Sequence, residues 1–298
     1  MGGWFLLAAA AITLAAPPGG GQAPASPIAV PAPPPVGPAV VLAPIPPDDE
    51  IERFLKEADV VSSKGTKKGV TDSLQATLSD GKLTHDAHIQ NIDETKREFR
   101  SQQGVEFDFR DSWTFNVAAY KIDRLIGLNM VPHSISRSHR STPAAFTWWI
   151  DDVLMDEGAK VKNKVEAPDR NYYLRQRAMM HVFDELISNV DRNQGNIIYT
   201  KDWRLWLIDH TRAFRKNSTL KVPAQISRCD KQVFEGLKAL DRETLKREVG
   251  KQLDDGQIKS LLARRDAIVK KLEALGPSAL FDRNVRAVTP PGSAAAAR

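Results

Sequence analysis

Residues 189–214 read NVDRNQGNIIYTKDWRLWLIDHTRAF. An acid, Asp191, follows a long apolar-striped segment, and an amide, Asn196, comes five residues later. Two short apolar runs on either side of Lys201-Asp202 then lead to a second acid, Asp209. The pattern predicts a hairpin, which brings its two ends together. Asn196 and Asp209 would then stand side by side as an amide oxygen and a carboxylate, a hard-oxygen pair that suits Mg²⁺. Asp191 would be placed to orient or deprotonate a hydroxyl. Alone, an Asp with Asn and Gly after a helix also reads as a cap and turn. The Asp209-His210 pair at a fitting distance supplies the context that such a motif needs.

Outward from this stretch, residues 169–190 carry an apolar stripe at helical spacing, with Pro168 at the start. Residues 112–128 form a second such helix, ended by Gly127. Between them, 131–137 and 145–150 read as strands joined by a polar turn. Asp80-Gly81 divides two alternating runs and predicts a β-hairpin, with 62–69 before it as a turn cluster. Residues 48–60 read as a short amphipathic helix with acids at its positive end. Residues 93–108 read as charged and irregular. Downstream, 231–240, 242–252 and 255–275 read as helices. Strands come early and helices late, so the expected class is α+β. The expected division is a small sheet-rich N-lobe over 48–150 and a larger helical C-lobe over 151–288.

D-R-x-x-G-N, a short hairpin and then I-D-H resemble the catalytic and metal-binding loops of the protein-kinase-like superfamily. The nearest flavour is its atypical branch: phosphatidylinositol 3- and 4-kinases, HipA-like kinases and secretory-pathway Golgi kinases. Residues 118–132 resemble, more weakly, a helix and strand of the small lobe in that branch. The resemblance follows about two thirds of the body in order, and only 189–214 is specific. It implies a two-lobed kinase-like fold, a Mg-ATP phosphotransferase, Asp191 as catalytic base, and Asn196 and Asp209 as metal ligands. The family's small-lobe Lys, which holds the nucleotide phosphates, would fall at Gln90, and its partner Glu at Asn116. A neutral amide pair thus replaces a charged one, although phosphoryl transfer depends on charge stabilisation. Lys68, Lys82 and Lys96 are the cations left to substitute. Thr211 stands where the family has Gly. The alternative is a pseudokinase-type module that binds nucleotide or a partner without catalysis.

The chain has 298 residues, 42% hydrophobic and 27% charged, with a net charge of +5. That composition is normal for a soluble globular protein and too charged for a polytopic membrane protein. The single cysteine, Cys229, excludes a disulfide scaffold. Residues 1–47 carry no Asp, Glu, Lys or Arg and hold 12 of the 19 prolines. Residues 4–16 fit the apolar part of a secretory signal peptide, although no basic residue precedes them. We expect a leader over 1–16, a Pro/Ala-rich linker over 17–47 and a disordered tail over 289–298. Export to the periplasm or outside follows if the leader is a signal, and a cytoplasmic location if it is not. No stable transmembrane segment is expected once the leader is gone. Aromatic and basic residues are not interleaved as a nucleic-acid groove requires. The expected partners are a nucleotide and an acceptor, either a protein or a small molecule.

Several other residues have chemistry to consider. Gly65 and Gly69 around Thr66-Lys67-Lys68 read either as a loop over a phosphate or as a basic turn. His85 and His88 flank Asp86 and would suit a phosphohydrolase only if both faced one site. Strand geometry points them to opposite sides, so they read as solvent-facing. His133 and His139 read as surface groups in a loop, His181 as a packing residue, and His210 as a brace for the metal loop. Trp148 and Trp149 fall near the expected hinge between lobes. Arg264 and Arg265 read as surface ion-pairing residues.

Overall fold

The computed structural model describes residues 46–66, 73–101 and 104–283. The leader, most of the linker, the tail and Lys68 lie outside the described residues. The first helix, α1 (Asp48–Glu57), begins with Asp48, Asp49 and Glu50, whose charges oppose the positive end of its dipole. Its buried residues Ile51, Phe54 and Leu55 recur at helical spacing. They join a small core with Ala76, Leu78, Ala87, Ile89 and Phe146. Arg137 closes the helix by donating to the Leu55 and Ala58 carbonyls at 3.0 and 2.7 Å.

Strands β1 (Asp59–Gly65), β2 (Leu74–Ser79) and β3 (Thr84–Gln90) run antiparallel in turn. The β2–β3 turn forms as its Asp-Gly pair predicts. Asp80 Oδ1 accepts from the Lys82 and Leu83 N–H groups, and Gly81 takes φ +84°. Those two N–H groups hold the Asp80 carboxyl below the usual range. The turn cluster expected at 62–69 is corrected in part. Residues 62–65 pair with β2 as strand, and 67–72 lie outside the described residues.

The segment expected to be irregular, 93–108, is instead a regular antiparallel ribbon of β4 (Asp93–Ser101) and β5 (Gly104–Ser112). Its ladder pairs throughout except at Arg97 and Asp108, where Asp108 takes φ +52°, and Phe109 is its one buried large apolar residue among those described. A ribbon that buries so little leaves no apolar alternation to read. Next come α2 (Thr114–Leu125), β6 (Ser134–His139) and β7 (Thr142–Trp148). The five-stranded sheet has the order β1-β2-β3-β7-β6. Helix α2 ends as expected at Gly127, which takes φ +69°.

After β7 the chain enters a second sheet through β8 (Val153–Asp156) and the short helix α3 (Glu157–Lys162), neither of which the sequence pattern announces. Helix α4 (Arg170–Ile187) is capped by Asp169, whose side chain accepts from Tyr172 N–H. Strands β9 (Ile197–Thr200) and β10 (Leu205–Leu207) make the expected hairpin. Their sheet has the order β10-β9-β8. Helices α5 (Lys231–Ala239), α6 (Arg242–Val249) and α7 (Asp255–Leu275) complete the helical region, with a minimal parallel pair, β11 (Cys229–Asp230) and β12 (Leu280–Phe281). The large core joins α2, α4, β9, β10 and α5 to α7. The class is mixed α+β, sheet-rich first and helical after, as expected.

Burial corrects four further expectations. His133 is not at the surface: it is buried, 2.8 Å from Asp48 and packed on Tyr120. His139 is not in a loop; it lies half-buried in β6 against Phe146. His85 and His88 are both half-buried, because His85 stacks on Trp148 at 3.5 Å and His88 faces inward from the other side of β3. Arg264 is only 1% exposed, since its guanidinium serves three carbonyls of neighbouring segments.

Candidate active site

Helix α4 stops where Ser188 turns left-handed, at φ +50°. The Asn189 N–H returns to the Asp184 carbonyl at 2.9 Å. The chain then folds on itself through short polar side chains. Asp191 N–H donates to Asn189 Oδ1, Asn193 N–H to the Asp191 carbonyl, and Gly195 N–H to Asn193 Oδ1. This brings Asn196 round so that its Nδ2 donates to the Asp191 carbonyl at 3.3 Å. The amide orientation leaves Oδ1 of Asn196 as an acceptor.

The β9–β10 ladder returns the chain to this point. Ile208 N–H donates to the Asn196 carbonyl at 3.2 Å, and Asp209 follows. Asp209 is exposed and adopts φ +55°, a region that Asp tolerates better than most residues. Thr211 Oγ1 donates to its Oδ1 at 3.0 Å.

Arg192 locks these loops together. Its Nε and Nη2 donate to the carboxylate of Asp184 at 2.9–3.2 Å. Nη1 reaches the carbonyls of Asn196 and Ile208 at 3.0 and 2.8 Å. Nη2 also meets His210 Nε2 at 3.0 Å. A guanidinium can only donate, so Nε2 of His210 accepts and its proton sits on Nδ1. Burial, then the Arg192 charge, holds His210 well below the usual imidazole range.

Gln90 and Asn116 are brought together. Both are buried, and Asn116 Nδ2 donates to Gln90 Oε1 at 2.9 Å. Asn116 Oδ1 in turn accepts the His210 N–H at 2.8 Å. The amide pair therefore connects β3, through α2, to the segment that carries Asp209. Lys82 is exposed near the tip of the β2–β3 hairpin, and Lys96 sits on β4, 2.7 Å from Glu94. His85 and Asp86 do not share a site with His88: His85 contacts Asp151, and Asp86 accepts from Gln75 and Thr77.

Three residues that sequence reasoning did not select belong to this neighbourhood. His88 shares the β3 face of Gln90. Burial lowers its imidazole pKa and the Asp209 charge opposes this. Asp111, at the end of β5, is raised above the usual range by burial, and the Asp209 charge adds to the rise. Its Oδ1 is buried without a hydrogen-bond partner. Arg212 lies 3.7 Å from Asp191. The Asp191 carboxyl is likewise raised, first by burial and then by Asp209, against the Arg212 charge. No local motif marks these residues, since strand register and loop packing assemble them.

The donor set fits a hard divalent cation that completes its coordination with water and phosphate oxygens. Asn196 Oδ1 and Asp209 supply two oxygens, and the Asp209 charge repels both Asp111 and Asp191, which Arg212 offsets in part. Among the described residues no three His, Cys, Asp or Glu side chains cluster as a metal cage.

No protein-family model matches the sequence, and no curated protein does. Solved structures do match. The Golgi casein kinase with Mn/ADP bound aligns with TM-score 0.54 and 13% identity, over 78% of this chain and 76% of that one. The structure of hydra Fam20 with sugar aligns with TM-score 0.54 and 14% identity, over 80% and 93%. A further crystal structure of the Golgi casein kinase gives 0.53 and 14%, over 76% of each chain. The chain has an atypical protein-kinase-like fold.

Proposed function

We propose that the protein is an ATP-dependent phosphotransferase that acts on a hydroxyl acceptor. The observation that supports this most is the convergence of Asp191, Asn196 and Asp209 at one rim, held there by Arg192. Asn196 and Asp209 would hold Mg²⁺, which when bound would neutralise the nucleotide phosphates. Asp191 accepts the proton of the acceptor hydroxyl, whose oxygen forms a bond to the γ-phosphorus. The bond from that phosphorus to the β–γ bridging oxygen breaks, and its electron pair leaves with ADP. Burial keeps Asp191 more basic than an ordinary carboxylate, which suits a general base.

Gln90 and Asn116 would line the phosphate side, with Lys68 as the additional cation expected there. Export rests on the apolar stretch at 4–16; among the described residues no helix is long and apolar enough to cross a membrane. The second reading is a nucleotide- or partner-binding module without catalysis. The neutral Gln90–Asn116 pair favours it, since an amide supplies no charge to the transition state.

Thermal shift of the full chain with ATP, with and without Mg²⁺, tests the site. A Mg²⁺-dependent rise that disappears in Asp209→Ala is the expected result. No shift up to millimolar ATP overturns both nucleotide-based readings and leaves partner binding. ADP release in the presence of a mixed acceptor pool, lost in Asp191→Asn, separates the first reading from the second.

A further inference from the structure

Beside Asp191 a cavity of about 1430 Å³ opens between the β4–β5 ribbon and residues 212–217. Seven Lys or Arg side chains and three acidic ones line it, a formal excess of four positive charges. Phe99 lines it and stacks on the buried Phe109, ring centres 4.3 Å apart. Arg212, Arg215 and Lys96 lie over the Phe109 ring at 5.1, 5.9 and 5.7 Å. An aromatic face attracts cations without adding a negative charge of its own.

One carboxylate closes this cluster. Glu106, on β5, accepts from Arg212 Nη2 through Oε2 at 2.7 Å, and its Oε1 contacts Arg215 Nη2. Even so, the Nε donors of Arg110, Arg212 and Arg215 are buried without a hydrogen-bond partner. Three guanidinium Nε donors around one cavity are therefore unsatisfied although Glu106 contacts both Arg212 and Arg215. Buried donors without acceptors are costly, and arginine forks match oxyanions with several acceptor oxygens.

We propose that Arg212 and Arg215 form an oxyanion site for the acceptor, that Glu106 occupies it in the free protein, and that the ligand group is a phosphate monoester. This rests on the phosphotransferase reading, because Arg212 also stands 3.7 Å from Asp191 and so joins the anion site to the base. A carboxylate from solution has the same chemistry as Glu106 and competes against a tethered group at high effective concentration. A phosphate monoester carries close to two negative charges and three acceptor oxygens, so it can displace Glu106 and satisfy the remaining donors. The acceptor is thus a molecule that already bears a phosphate near the hydroxyl to be modified. A soluble phosphorylated compound and a phosphorylated lipid head group share this chemistry.

The test is calorimetric titration of the full chain at fixed ionic strength with inorganic phosphate and with glycerol 3-phosphate. Phosphatidylcholine vesicles with and without phosphatidic acid form the lipid arm. Binding to the soluble probe identifies a soluble source, and binding to the phosphatidic acid vesicles alone identifies a lipid source. Binding to neither overturns the proposal. Glu106→Gln is expected to tighten phosphate about tenfold or more, and Glu106→Asp less; Arg215→Gln is expected to abolish binding. Unchanged or weaker binding in both Glu106 variants, or full binding in Arg215→Gln, overturns it. Acetate binding as tightly as phosphate overturns the choice of a dianion. Phosphate binding that persists in Asp209→Ala, where Mg-ATP binding is lost, separates this site from the nucleotide site, so each reading fails on its own evidence.

Discussion

Arg192 grips Asp184 from eight residues away, with Nε and Nη2 both on the carboxylate, and the same guanidinium holds the carbonyls of Asn196 and Ile208. Both side chains are nearly buried. Removing one partner leaves the other charge uncompensated, so Arg192→Gln should cost about 3–5 kcal/mol of stability. It should also release the two loops and abolish the Mg²⁺-dependent thermal shift. Urea unfolding measures the first effect. A loss below about 1 kcal/mol would mean that the clamp does not organise the site.

The acid limb of the activity profile should report Asp191. A general base must be ionised, so the rate falls as pH drops through its pKa. Burial has moved that pKa above the ordinary carboxylate range, and Arg212 opposes the shift. Arg212→Gln should therefore move the acid limb of kcat/KM further up in pH. A limb that stays put or moves down would remove Asp191 as the titrating group.

Gln90 and Asn116 can be tested as a pair. Gln90→Lys buries a charge beside a neutral amide, and Asn116→Glu does the same with opposite sign; each should cost about 3 kcal/mol or more. Together the two charges compensate. The carboxylate introduced at position 116 also keeps an oxygen to accept the His210 N–H, so the double variant should recover most of the loss. It should also bind Mg-ATP more tightly than the parent, by thermal shift. Strict additivity of the two single losses would show that positions 90 and 116 do not act together.

Arg264 carries a stability prediction. It donates to the carbonyls of Leu186, Arg215 and Asn217, and burial pulls its pKa down to about 10. Arg264→Leu keeps an apolar stem but strands three buried acceptors, a loss of at least about 3 kcal/mol. Denaturant unfolding with a change under about 1 kcal/mol would return Arg264 to the surface role that its sequence context suggests.

What the sequence determined by itself was local. Helical stripes, the Asp80-Gly81 turn, the Gly127 stop and the 189–214 hairpin depend on residues a few positions apart, where spacing and turn chemistry act directly. The order of elements also pointed to the fold class, and the resemblance of 189–214 to kinase loops pointed to the fold. The tertiary structure alone decided what depends on which surfaces meet. Glu106 reaches Arg212 across 106 residues of sequence, and Asp111 and Asp191 come under the charge of Asp209 from separate elements. The β4–β5 ribbon escaped the sequence pattern because its cohesion is a backbone ladder with little apolar burial. Arg264 escaped it because a charged residue on an amphipathic helix reads as exposed until the carbonyls it serves are packed against it.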